Sequence, residues 1–177
     1  MKCYNMTSIF PIVSAASPPL VGFAHHDHAT CVVDGLAVAG TRCASEGLRF
    51  TPVRRKVLEI LLQEHRALGA YVILDRLRDE GFRPQPPVAY RALDFLVTNG
   101  LAHKIERLNA FIACAHPHET HAPAFMICRL CETVAEAQSS PTGGALAAAA
   151  RATGFQIERT VVEAEGVCPS CAIGAKA

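Results

Sequence analysis

The sequence predicts an α+β chain in two unlike parts: a helical N-terminal half that ends in a β-hairpin, and a small α/β half closed by four cysteines. Three observations predict it. Helical periodicity recurs between residues 29 and 99; an alternating stretch with a turn signal at Asn109 follows; and two C-x-x-C pairs, Cys128/Cys131 and Cys168/Cys171, bracket most of the remainder. With 177 residues, half of them apolar, the chain can build one domain or two small ones.

Residues 1–24 read as a disordered N-terminal extension. Lys2, the apolar residues after it and Ala15-Ala16-Ser17 imitate an export signal, but Asn5, Thr7, Ser8 and Pro11 break the apolar run. No stretch is long and apolar enough to span a membrane. His25-His26-Asp27-His28 then leads into a helical pattern from about Ala29 to Ser45. Val32, Val33, Leu36, Val38 and Ala39 form its apolar side, and Gly47 follows its end. The histidine run is either a weak metal site or a solvated lead-in, and Cys31 and Cys43 are most simply small buried side chains.

Thr51-Pro52 opens the second helix, with a hydroxyl N-cap and proline at the first helical position. Its core stripe is Val53, Val57, Leu58, Ile60, Leu61 and Leu62, and Arg54, Arg55 and Lys56 take the other faces. A third helix runs from about Ala70 to Glu80, turns Leu74 and Leu77 inward and ends at Gly81. Pro86-Pro87 starts a fourth, Val88 to Asn99, stopped by Gly100. Leu101–Leu108 and Ala110–Ala115 then alternate as two strands around Asn109.

Three helices followed by a hairpin describe a winged helix–turn–helix, in which the last helix lies in the DNA major groove and the hairpin touches backbone or minor groove. Tyr90 and Arg91, near the start of that helix, would face DNA. Arginine reaches guanine O6 and N7, and tyrosine meets a phosphate or a thymine methyl. Periodicity alone is equally satisfied by Tyr90 packed on a neighbouring helix and Arg91 in a surface ion pair.

Beyond Pro123, Ala124–Ile127 reads as a strand entering the first cysteine pair and Thr133–Ala137 as a second strand. Ser139–Gly144 is a loop, Ala145–Thr153 an alanine-rich helix, and Phe155–Glu163 the longest strand candidate, leading into the second pair. An open sheet of few strands has exposed edges and a small core, so dimerisation is expected.

The cysteine spacing carries chemistry. Two residues between thiols let both sulfurs of a pair reach one tetrahedral ion at about 2.3 Å per Zn–S bond. A single pair would suit a redox dithiol as well; two pairs of one spacing point to a structural zinc with four thiolates. The 36 residues between Cys131 and Cys168 exceed the ~15–20 of a compact zinc ribbon, so the ion should close a folded unit. Eight cysteines in so long and apolar a chain do not read as a secreted disulfide scaffold, and the spacing suggests a reducing cytoplasm. Net charge is +1, but residues 48–107 hold eleven Lys/Arg against seven Asp/Glu, while the flanking segments are mildly acidic. A basic middle fits a nucleic-acid surface confined to one segment, or a solvated helical face.

From about His28 to Cys171 the sequence resembles the ferric uptake regulator family, and specifically its zinc uptake regulator branch. The resemblance rests on Gly47-Leu48-Arg49-Phe50-Thr51-Pro52-Val53-Arg54-Arg55, on Ala89-Tyr90-Arg91-Ala92-Leu93-Asp94-Phe95-Leu96, on the two C-x-x-C pairs, and on Val162–Cys171. It implies a winged-helix DNA-binding domain (residues 25–112), a hinge (113–122) and a dimerisation and metal-binding domain (123–177). It also implies a second, regulatory zinc site made of His103, Cys114, His121 and Glu136, hence two Zn2+ per subunit beside the structural ligands Cys128, Cys131, Cys168 and Cys171. Mixed N, S and O donors suit zinc, and the thiolate favours it over harder ions. Where the family has Thr-Val before its Tyr-Arg pair, this chain has Val88-Ala89, losing a hydroxyl able to meet a phosphate. His116 and His118 stand inside the regulatory segment and could enlarge its ligand set.

The function so implied is a cytoplasmic, homodimeric, zinc-responsive repressor that binds palindromic double-stranded operator DNA and controls zinc uptake genes. It implies no catalytic residues, membrane or small-molecule substrate. Two alternatives are an iron- or peroxide-responsive regulator of the same family, and a zinc-dependent hydrolase with Glu136 as general base and water on an open metal position.

Overall fold

In a computed structural model that describes residues 21–23, 28–82, 85–117, 121–139 and 144–174, the first half is four helices and a hairpin. The helices are α1 (His28–Ser45), α2 (Pro52–Leu62), α3 (Ala70–Asp79) and α4 (Pro86–Thr98); the hairpin is β1 (Ala102–Ile105) and β2 (Ala110–Ala113). Thr51 caps α2 as its sequence predicts, its hydroxyl accepting from the Arg54 N–H at 3.4 Å. At the ends of α3 and α4 the expected glycines adopt φ of 81° (Gly81) and 62° (Gly100). The next residue then donates back into the last turn, Phe82 to Leu77 O at 2.9 Å and Leu101 to Leu96 O at 2.8 Å. Those four side chains enter one helical core with Leu36, Val57, Leu61, Leu74 and Leu93.

The second half contains β3 (Ala122–Cys128), β4 (Val134–Ser139), α5 (Gly144–Thr153), β5 (Val162–Gly166) and α6 (Pro169–Gly174). Its sheet has the order β4-β3-β5, antiparallel between β3 and β4 and parallel between β3 and β5. Together these make the α+β architecture that the sequence predicts. The predicted strand Phe155–Glu163 is corrected: only Val162 onward is strand, and Phe155 is exposed. The reason is register. Val162 already pairs with Ala124, near the start of β3, so the residues before it run out of partner backbone. The hairpin is also shorter than its alternation suggests, because Glu106–Asn109 form the turn and Asn109 takes φ 45°. Residues 1–20 and 24 of the expected extension lie outside the described residues. Val21–Phe23, however, form a 3-10 turn against β4, where a Cβ on Gly22 would stand 2.3 Å from Val134 O, so only glycine fits.

The hairpin joins the halves. Strand alternation sends Ala102 and Phe111 into the helical core, and Ile105 and Ile112 into a second core with Phe125, Ile127 and Val134 of the sheet. The α2–α3 connection adds two ties. Leu68 and Phe111 exchange backbone hydrogen bonds at 2.8 and 2.9 Å, and Val134 N–H donates to His65 O at 2.8 Å. Beside them the Arg66 guanidinium holds the Cys131 carbonyl at 2.7 and 3.0 Å. Among the described residues no helix is long and apolar enough to cross a membrane.

Candidate metal centres and nucleic-acid face

Cys128 ends β3, Cys131 follows in the tight turn before β4, and Cys168 and Cys171 lie at the start of α6. The sheet brings the pairs together, since β5 runs parallel to β3 and delivers its following residues to the same end. All four sulfurs lie within 4.8 Å of one another, and Cys131 Sγ is 3.7 Å from Cys168 Sγ. That separation is too long for a disulfide and close to the edge of a tetrahedron built on Zn–S bonds of about 2.3 Å.

Ionisation within the group is uneven. Backbone N–H donation from Cys168, then from Cys131, lowers the Cys128 thiol to about 6, while Thr133 lowers Cys131. Interactions with Cys168 and then Cys131 push Cys171 up to about 12. Four thiolates therefore crowd unfavourably unless a cation accompanies them. This donor set fits zinc.

The second cluster draws on both halves. His103 comes from β1, Cys114 from just after β2, His121 from just before β3 and Glu136 from β4, with their ligand atoms within 4.8 Å of one another. Glu136 Oε1 is 2.6 Å from His121 Nε2 and 3.1 Å from His103 Nε2, and Cys114 Sγ is 3.7 Å from His121 Nε2. The other carboxylate oxygen accepts from the Ala115 N–H at 2.8 Å. Glu136 is only 6% exposed, the one buried charged side chain among the described residues.

Burial opposes its ionisation, but His103, the Ala115 N–H and His121 outweigh that and hold its carboxyl below the usual range. Burial and then the Glu136 charge push the Cys114 thiol up to about 12. His103 Nε2 is fully buried. It faces Glu136 Oε1 at the ion-pair distance of 3.1 Å and makes no hydrogen bond among the described residues. Buried imidazole, carboxylate and thiol groups converging on one point suit a cation of N/S/O preference. His116 stays outside this set, its ring edge-on to His121 at 5.8 Å, while its N–H donates to Cys114 Sγ at 3.4 Å. His25, His26 and His118 lie outside the described residues.

No protein-family model matches the chain. The zinc uptake regulation protein of Escherichia coli (strain K12) is 36% identical over 137 residues, covering 77% of this chain and 80% of that protein. A solved structure of a zinc uptake regulator complexed with zinc and DNA superposes with a TM-score of 0.77 at 34% identity, covering 82% of this chain and 98% of the other. The crystal structure of holo XcZur gives a TM-score of 0.71 at 38% identity, covering 79% and 98%. The chain belongs to the zinc uptake regulators of the ferric uptake regulator family. This is a family of transcription regulators, which removes the hydrolase alternative.

In this zinc uptake regulator, α4 turns Ala89, Ala92, Leu93 and Leu96 into the core and leaves Tyr90 41% exposed. Arg91 is exposed and makes no ion pair among the described residues, unlike the surface pairing that its sequence equally allowed. Beside Tyr90 a groove is lined by Tyr71, Val72, Lys104 and Asn109. Tyr71, 73% exposed at the first turn of α3, is a further exposed aromatic beside this groove that the sequence reading did not single out. Arg54 stacks on Phe95 at 3.7 Å and fastens α2 to α4.

Proposed function

We propose that this zinc uptake regulator is a cytoplasmic, homodimeric repressor of zinc uptake genes, competent for palindromic operator DNA when its His103–Cys114–His121–Glu136 site is filled. The observation that carries the reading is the buried His103 Nε2, which makes no hydrogen bond and is brought by β1 together with the Cys114 thiol just after β2 and the Glu136 carboxylate of the other half. Bound there, zinc supplies a double positive charge shared by donors from both halves. The chain does the rest. Glu136 stays ionised on its Ala115 N–H, Cys114 gives up its proton, and β1 carries the helix-bearing half with His103.

In this reading residues 25–112 bind DNA, 113–122 act as hinge, and 123–177 dimerise. Cys128, Cys131, Cys168 and Cys171 hold a structural zinc whose binding energy is folding energy. Tyr90 and Arg91, joined by Tyr71, meet the duplex. The likeness to a regulator solved with zinc and DNA supports this, as does the exposed apolar surface of the second half, where Leu146, Phe155, Val162 and Ile173 lie open for a second copy. Zinc and operator then strengthen each other's binding by one factor, typically ~5–150-fold. The test is fluorescence anisotropy on the gene's own upstream DNA, with labile zinc present or stripped and thiolate zinc retained. Equal affinity in both states sinks the reading.

A further inference from the structure

Glu136, Phe125 and Glu163 form one row across the sheet, Phe125 pairing with Glu136 on β4 and with Glu163 on β5. All three face the hairpin. Glu136 meets His103, and the Phe125 ring lies 5.5 Å from the His103 ring. Glu163 reaches the far end of β1, where its two oxygens accept the successive backbone N–H groups of Glu106 at 2.8 Å and Arg107 at 3.1 Å. A carboxylate chelating two adjacent amides is charge-assisted, roughly twice as strong as a neutral hydrogen bond, and it fixes the orientation of the turn. Arg107 and Glu165 add an ion pair at 2.6 Å, but both side chains are open to solvent and the pair contributes little.

Neither the Glu163 contacts nor the Arg107–Glu165 pair uses a group of the His103 cluster, so they do not depend on its metal. Yet Glu106, the first residue of the turn, lies only three residues beyond His103 of β1, and a turn clamped at Glu106–Arg107 sets the depth and angle at which His103 approaches Glu136. We propose that Glu163 is a metal-independent latch, a positioning residue that keeps the hairpin seated on the sheet and thereby pre-organises the regulatory site. An apparent affinity falls by the fraction of molecules whose site is competent, so loss of the latch raises the zinc needed for half-saturation. This rests on the reading of His103, Cys114, His121 and Glu136 as the labile zinc site.

The test compares full-length wild type with Glu163→Gln, which keeps the side-chain volume, with Glu163→Ala, and with Glu165→Gln as a control for the ion pair alone. Amide hydrogen exchange at Glu106 and Arg107 is followed without labile zinc, and labile zinc affinity is measured by competition with a chromophoric chelator. Both Glu163 variants should exchange at those two amides about tenfold faster and need about fivefold more free zinc, with thiolate zinc content unchanged and the control close to wild type. Unchanged exchange overturns the latch, and faster exchange with unchanged zinc affinity overturns its positioning role. A wild type that takes up no labile zinc sinks the functional reading and this proposal together. A wild type that takes it up beside a Glu163→Gln variant of equal affinity sinks this proposal alone.

Discussion

His103 Nε2 stands 3.1 Å from Glu136 Oε1, fully buried, and still has no hydrogen bond. A buried nitrogen left without a hydrogen bond costs stability in the metal-free protein, and a cation bound at this cluster relieves that cost. Its weak point is acid. Because the folded value of Glu136 is depressed below 4.5, the carboxylate's contribution is complete above that unfolded value and is lost as pH falls through the folded one. In protein stripped of labile metal, the Ala115 amide that donates to Glu136 should keep its hydrogen-exchange protection at pH about 5 and lose it in stronger acid. Protection that weakens on raising the pH from about 5 to 7 would contradict the assignment.

Cys114 sets a stoichiometry. Its thiol is pushed up to about 12, so it is protonated at any physiological pH, whereas Glu136 is already ionised. Filling the site should release about one proton from Cys114 at pH 8. Calorimetry of zinc uptake in buffers of different ionisation enthalpy counts it. Cys114→Ser should lower the count by one, abolish zinc-dependent DNA binding and leave the dimer intact. A variant that still responds to zinc would count against this site.

The four-thiolate site was legible because its information is local. Two thiols with two residues between them can reach one ion whatever the fold, and Thr51, Gly81 and Gly100 announce their helix ends in the same local way. The second cluster was not legible from spacing; resemblance suggested its residues, and the sheet brings them together. What could not be read is what depends on register. The row Glu136–Phe125–Glu163 exists only because two strands far apart in sequence pair with the same residue of β3. The same pairing cancels the predicted strand before Val162. Arg66 was equally silent, since a lone exposed arginine gives no sign that it will hold the Cys131 carbonyl.

Removing a thiolate should be felt beyond the metal. Cys128 is buried, accepts the Cys168 N–H at 3.4 Å and ends the strand that carries Phe125 and Ile127 into the sheet's core, so Cys128→Ser leaves an incomplete shell inside folded structure. The expected outcome is loss of the tightly held zinc with unfolding or dissociation of the C-terminal half, a cost of several kcal/mol. A normal dimer by sedimentation with one fewer zinc would contradict the structural role.

Arg91 separates reading of the sequence from grip on the backbone. It is exposed, unpaired among the described residues and carried on a helix whose opposite face is locked by Ala89, Ala92, Leu93 and Leu96, so truncation should not disturb the fold. If it meets a guanine edge, Arg91→Ala should cost about 1–3 kcal/mol on the specific operator and relax the preference at one base pair per half-site, with both zincs retained. If it meets only phosphate, the loss should be uniform across sequences and the salt dependence shallower by about one charge. Anisotropy titrations on the operator and a scrambled duplex at two salt concentrations distinguish these, and an unchanged sequence preference would remove Arg91 from the reading face of α4.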